Sequence, residues 1–164
     1  MKNIFTCLAL TLFCIKGFGQ ADEETPVYLR FPTVPQFTVY KAPDSTAFSR
    51  DDLKKKTETL FMVFSPDCEH CQLETEEMLA NIHKFKNIQI VMITYLPYEE
   101  MIAFYKKYNI ALYPQITMAR DTKFFFPVYF KVRNLPSIFL YDKKGNFTKA
   151  FEGSVKIDSL VAAL

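Results

Sequence analysis

A chain of 164 residues, nearly half of them apolar, can build one cored domain and is too apolar to be disordered or fibrous. Its 20 basic and 18 acidic residues almost balance, so no strong field draws it to nucleic acid, and no nucleic-acid partner is expected. Four cysteines are too few for a small scaffold stapled by many disulfides.

Residues 1–19 read as a secretory signal peptide. Lys2 supplies the positive start, Ile4 to Ile15 is largely apolar, and Gly17 and Gly19 are the small residues of a cleavage site. The apolar run is shorter than the roughly 18 residues of a spanning helix. Phe13 stands where a lipoprotein signal wants a small residue before Cys14. Export across the inner membrane is expected, to the periplasm in a diderm bacterium. Removal takes Cys7 and Cys14 away and leaves Cys68 and Cys71.

Residues 20–34 form a leader in which Val27 to Phe31 alternates like a short strand, ended by Pro32 and Pro35. Gln36 to Tyr40 alternates again, and Pro43-Asp44-Ser45 is a turn. Ser49 to Leu53 predicts a helical turn capped by Ser49 and Asp52. Lys54-Lys55-Lys56 reads as a solvated loop, being short and flanked by acids. Leu60 to Phe64 is a buried strand, followed by the turn Ser65-Pro66-Asp67 and the pair Cys68-x-x-Cys71. Gln72 to Phe85 continues as a helix with Met78, Leu79, Ile82 and Phe85 on one stripe.

Ile88 to Tyr95 is a continuous apolar strand, as in a sheet covered on both faces. Pro97 suits the first position of a helix whose stripe is Met101, Phe104, Tyr105 and Tyr108. Gln115 to Ala119 is a short strand, and Asp121 a helix cap. Phe124 to Phe130 is an aromatic run, read chiefly as core, with an exposed subset able to line a groove. Ser137 to Tyr141 and Phe147 to Phe151 flank a hairpin turn at Asp142 to Asn146, and Val155 to Leu164 closes the chain as a helix. The order predicts an α/β domain over residues 35–164, a central mixed sheet flanked by helices with a strand extension at its N-terminal side.

Chemistry concentrates where the Leu60 strand hands over to the helix. A helix start presents free N–H groups and partial positive charge, which stabilise a thiolate. Cys68, at that start, is the candidate nucleophile, and Cys71, one turn on, the resolving thiol. A disulfide between them would close a tiny loop and constrain little of the unfolded chain, so a staple explains the pair poorly. Zinc needs four ligands, and His70 and His83 lack the spacing, so no metal and no cofactor are expected. Around the thiols, a cationic His70 favours the thiolate while Asp67 and Glu69 oppose it, leaving the net sign open. Glu74 shares Cys71's helix face at i+3 and reads either as a proton acceptor for that thiol or as a surface acid.

Together these residues resemble the thioredoxin fold in its secreted TlpA/ResA-like branch. The likeness rests on Pro35-x-Phe37-Thr38, the strand into Cys68-x-x-Cys71, Glu74, Tyr129-x-x-Val132-x-x-x-Pro136-x-x-Phe139 and Asp142-x-x-Gly145. It departs from the pattern at Asp67, where an aromatic residue is usual, and at Met62, near the place of a buried acid. The resemblance implies a cis-proline at Pro136 facing the thiols, with the Leu135 peptide available to a substrate strand. It implies a redox disulfide between Cys68 and Cys71 and a tuning role for Glu74. It further implies a protein disulfide reductant in the cell envelope, with protein thiols as substrates and a membrane electron donor. Two alternatives stay open. One is a peroxiredoxin-like thiol peroxidase using Ser65 and Arg133 around Cys68. The other is a non-catalytic binding module or metal chaperone.

Overall fold

A computed structural model describes residues 25–164; the signal-peptide reading of residues 1–19 lies outside them. The frame is a seven-stranded mixed sheet built from β1 (Thr38–Lys41), β2 (Ala47–Ser49), β3 (Glu58–Val63), β4 (Ile88–Thr94), β5 (Ile116–Arg120), β6 (Ser137–Tyr141) and β7 (Phe147–Glu152). Its order is β2-β1-β5-β4-β3-β6-β7. β3, β4 and β5 run parallel, and the outer strands pair antiparallel. Central β4 is buried at every position, as its largely apolar run requires.

Alternate residues of the central strands feed two cores. Leu60, Met62, Ile90 and Met92 pack with α2 (Glu69–Ala80), α3 (Tyr98–Lys107) and α5 (Ile157–Val161). Phe61, Val63, Val91 and Ile93 pack with Phe126 and Phe130, at α4 (Phe125–Tyr129), and with Tyr28 of α1 (Val27–Arg30). Phe61 is the hub of the second core. Its ring lies 5.5–6.4 Å from those of Phe37, Phe126, Phe130 and Tyr141. The aromatic run of α4 is therefore mainly core, but Phe124 and Val128 stay exposed and line a groove with Val27 and Phe37.

Several expectations need correction. Val27 to Phe31 is not a strand but the single turn α1. Its alternation is real and inverted: Tyr28 packs on Phe130, Phe139 and Phe147, while Val27, Leu29 and Phe31 face solvent. The chain meets the sheet only afterwards, at the isolated bridge Thr33–Asn146. The helix after the thiols starts earlier than Gln72 and stops at Ala80, with a 3-10 turn over Ile82–Phe85. At the break Asn81 turns its amide back onto the Glu77 carbonyl at 2.9 Å, a side-chain bond that competes with helix continuation. Pro97 is the N-cap of α3 rather than its first residue, and the closing helix is shorter than Val155 to Leu164. β2, three residues long, shows no periodicity by which a sequence could announce it.

Three cap and turn expectations hold. Ser49 donates backbone and hydroxyl hydrogens to Asp52 at 2.8 Å each. Asp121 is buried and accepts the Phe126 N–H at 2.7 Å, capping α4. Asp142 accepts from Lys144 and Asn146 in the hairpin turn. Phe61→Ala should lower the unfolding free energy by about 3–5 kcal/mol in urea titrations, the scale of a phenylalanine deleted from a packed core. Val128→Ala on the exposed face of α4 should change it by less than about 0.5 kcal/mol.

Candidate redox site

β3 delivers the chain to the site. Phe64 prolongs it by donating its N–H to the Ile93 carbonyl at 3.0 Å, and its ring packs on Phe104 at 4.9 Å. The chain then turns. The Ser65 hydroxyl donates to Asp67, and the Cys68 N–H returns to the Ser65 carbonyl at 3.2 Å. Gln72 braces the turn from α2 by donating to the Pro66 carbonyl at 2.8 Å. Lys107 of α3 in turn donates to Gln72 at 3.0 Å.

Cys68 is the N-cap of α2, a place usually held by serine, threonine or aspartate. Its sulfur accepts the Cys71 N–H at 3.4 Å, so the helix start is satisfied by the thiol itself. Cys68 is half-buried, Cys71 is buried, and both are free thiols. The Leu135–Pro136 peptide is cis, and the Cys68 thiol lies 3.9 Å from the Leu135 carbonyl, to which it donates. That loop is fixed from both sides: Ser137 donates to the Asn134 carbonyl at 2.6 Å and Gly153 to the Pro136 carbonyl at 2.8 Å.

The two sulfurs occupy unlike surroundings. Burial pushes the Cys71 thiol far above its usual range, and the adjacent Cys68 sulfur adds to the shift. A backbone hydrogen bond from Ser65 opposes it, and the charge of Asp67 adds a smaller push upward. Asp67, Glu69 and His70 are exposed, and among the described residues no hydrogen bond ties Glu69 or His70 to a sulfur.

Glu74 is no surface acid. It is 3% exposed, on the α2 face that also buries Cys71, Thr75 and Met78. One carboxylate oxygen accepts the Val155 N–H at 2.9 Å; the other is buried without a partner. Burial raises this carboxyl above its ordinary value of 4.5, the Val155 N–H partly offsetting the rise and nearby Glu77 adding to it. Met62 is wholly buried beneath the site, in the core that holds Cys71. Ser65 is engaged with Asp67, and Arg133 lines a cleft with Tyr28 and Glu152. Among the described residues no three His, Cys, Asp or Glu side chains cluster as metal ligands do. No helix among them is long and apolar enough to cross a membrane.

Sequence reading had no access to the Lys107–Gln72–Pro66 brace or to the Glu74–Val155 bond. The Lys107–Gln72 and Glu74–Val155 contacts join residues far apart in the chain, and none of these side chains belongs to a local pattern.

The fold and this pair of thiols at a strand–helix junction define a thioredoxin-type site. Residues 49–164 match the family model described as a thioredoxin-like domain, and the chain belongs to that family. Its shape agrees with solved relatives. A secreted Mycobacterium tuberculosis disulfide oxidoreductase homologous to Escherichia coli DsbE has 20% identity, covering 79% of this chain and 96% of that one, with a TM-score of 0.66. DsbF of the same organism has 24% identity, 80% and 96% coverage and a TM-score of 0.65. StoA of Bacillus subtilis has 18% identity, 80% and 98% coverage and a TM-score of 0.58. At such identities the likeness is one of fold. No curated protein sequence matches the chain significantly.

Because its folded carboxyl holds a proton more tightly, Glu74 contributes most stability below pH 4.5, and that contribution is lost as pH rises through its raised value. Glu74→Gln keeps an acceptor for Val155 and stays neutral. Melting curves from pH 4 to 8 should show the variant's Tm, relative to the unaltered protein, rising with pH and then levelling. Parallel Tm curves would mean that Glu74 ionises without cost.

Proposed function

We propose that this protein is a thiol–disulfide oxidoreductase of the cell envelope that reduces disulfides in protein substrates through Cys68 and Cys71. The observation that carries the reading is the asymmetry of the two thiols. Cys68 is accessible and sits at the helix start beside the Leu135 carbonyl, whereas Cys71 is buried one turn behind it. Exchange needs one sulfur that meets the substrate and one that waits.

In the reaction, the Cys68 thiolate attacks one sulfur of a substrate disulfide. A Cys68–substrate bond forms, the substrate S–S bond breaks, and the leaving thiolate takes a proton. The Cys71 N–H aimed at the Cys68 sulfur donates to it most strongly when that sulfur carries charge. The half-buried Leu135, next to Cys68, offers a carbonyl along which an extended substrate segment can align. Cys71 then loses its proton and attacks Cys68. The substrate leaves as a dithiol and a Cys68–Cys71 disulfide remains, two electrons having moved. Glu74, buried on the same helix face, is the candidate acceptor for the Cys71 proton. Its raised affinity for protons suits that role, and Asp67, Glu69 and His70 stand exposed around the half-buried Cys68.

Return to the dithiol requires an electron donor. A membrane reductant fits an exported chain of the TlpA/ResA-like kind, and the signal-peptide reading of residues 1–19 supports the envelope as the compartment. The secreted and DsbE-like character of structural neighbours is consistent with it.

Two variants test the mechanism. Cys71→Ser should retain attack but not resolution, so mixed disulfides with substrate proteins accumulate on Cys68 and collapse on adding dithiothreitol. Insulin reduction should fall to background in Cys68→Ser. Absence of adducts in Cys71→Ser, with the insulin rate of Cys68→Ser unchanged, would overturn the exchange mechanism.

A further inference from the structure

Six basic side chains meet at the pole of the sheet opposite the thiols. Lys54, Lys55 and Lys56 precede β3, whose far end leads to Cys68. Lys143 and Lys144 sit in the β6–β7 turn, which the antiparallel pairing of β6 with β3 brings to the same end. Arg50 joins from the turn after β2. All six line one open cleft of about 320 Å³, and Asp142 is the acidic residue among its described lining. A cleft of that size is within the range of small-ligand sites. The Lys54–Lys56 run is a solvated loop, as expected, and forms half of a larger cationic cluster.

Both lysine turns are held in place. Gln89, buried in β4, accepts the Lys54 N–H at 2.8 Å and donates to the Lys54 carbonyl at 3.1 Å and to Thr59 at 2.8 Å. An amide in an otherwise apolar strand is costly unless paired, and here its partners are largely the backbone of the lysine loop. Opposite, one oxygen of Asp142 takes the N–H groups of Lys144 and Asn146 at 2.8 Å each, and the other takes the Asn146 amide at 3.1 Å. That carboxylate is committed to the turn. Lys143 approaches Glu58 only to 3.9 Å, and Arg50 approaches Asp51 to 3.8 Å. Among the described residues Lys54, Lys55, Lys56 and Lys144 form no salt bridge. Like charges fixed around a concavity repel one another until an anion offsets them.

We propose that this cleft binds a ligand bearing several phosphate charges. Lysine ammonium groups suit phosphate oxygens as point charges, and offsetting cations from two turns at once takes more than one negative charge. The hydroxyl of Thr33, also in the lining, adds a neutral donor, while that of Thr57 donates to the Lys55 carbonyl at 3.3 Å and helps hold the lysine loop. The six residues of β3 set the cleft roughly 20 Å from the thiols, so an occupied cleft leaves Cys68 accessible. Free polyphosphate and the crowded headgroups of an anionic lipid surface present the same chemistry.

The test uses the purified protein with tripolyphosphate in titration calorimetry, and with vesicles of phosphatidylglycerol or of phosphatidylcholine in co-sedimentation. Saturable binding of tripolyphosphate is expected, weakening steeply as salt rises. Lys55→Gln/Lys56→Gln and Lys143→Gln/Lys144→Gln should each weaken it about tenfold or more, the scale of one lost charge contact. Insulin reduction should not change in either variant. Co-sedimentation with phosphatidylglycerol alone, competed by tripolyphosphate, assigns the ligand to a headgroup; binding of tripolyphosphate without vesicle binding assigns it to a free anion. Absence of both, or binding that either double variant leaves intact, overturns the proposal.

Discussion

The Cys71 N–H reaching back to the Cys68 sulfur is the contact on which the site depends. It makes the Cys68 sulfur a structural cap, so the thiol cannot drift without unsatisfying the start of α2. The geometry of that contact is imposed from outside the motif. β3 is gripped by β4 and β6, Gln72 holds the Pro66 carbonyl, and the Leu135–Pro136 loop sets the far wall. The sulfur is therefore positioned by the sheet and not by the four residues of the motif alone.

The same construction separates the two thiols by environment. One helical turn moves the chain from a half-exposed cap to an apolar core containing Met62, Phe64 and Met78. Burial there disfavours a charged Cys71, while Glu74 brings a second reluctant proton-holder to the same face. Among the described residues, one Glu74 oxygen takes the Val155 N–H and the other is buried without a partner, a costly placement for an acid.

Much of this was legible in the residues. The nearly continuous apolar run of β4 declared a sheet covered on both faces, the apolar stretches of β3 and β6 declared strands, and the turn chemistry of Asp142 and Asp121 did what such residues do. Cys68 and Cys71 announced their place because a strand, a turn and a helix followed one another without ambiguity. What stayed hidden depends on distant partners. Val27 to Phe31 alternates, yet it forms a helical turn before Pro32, with Tyr28 facing the core. Glu74 sits in a run of acids, and only the approach of Val155 shows it to be buried. Lys54 to Lys56 is a solvated run, and only the path of β6 shows that Lys143 and Lys144 lie beside it.

Equilibration of the protein in graded thiol buffers, with trapping of free cysteines and mass analysis, tests the central claim most directly. A reversible two-electron couple confined to Cys68 and Cys71 is expected, with a midpoint near that of thioredoxin, about −270 mV. Cysteines that remain in one state across every buffer, or a midpoint near the strongly oxidising value of about −120 mV, would contradict a reductant built on this pair.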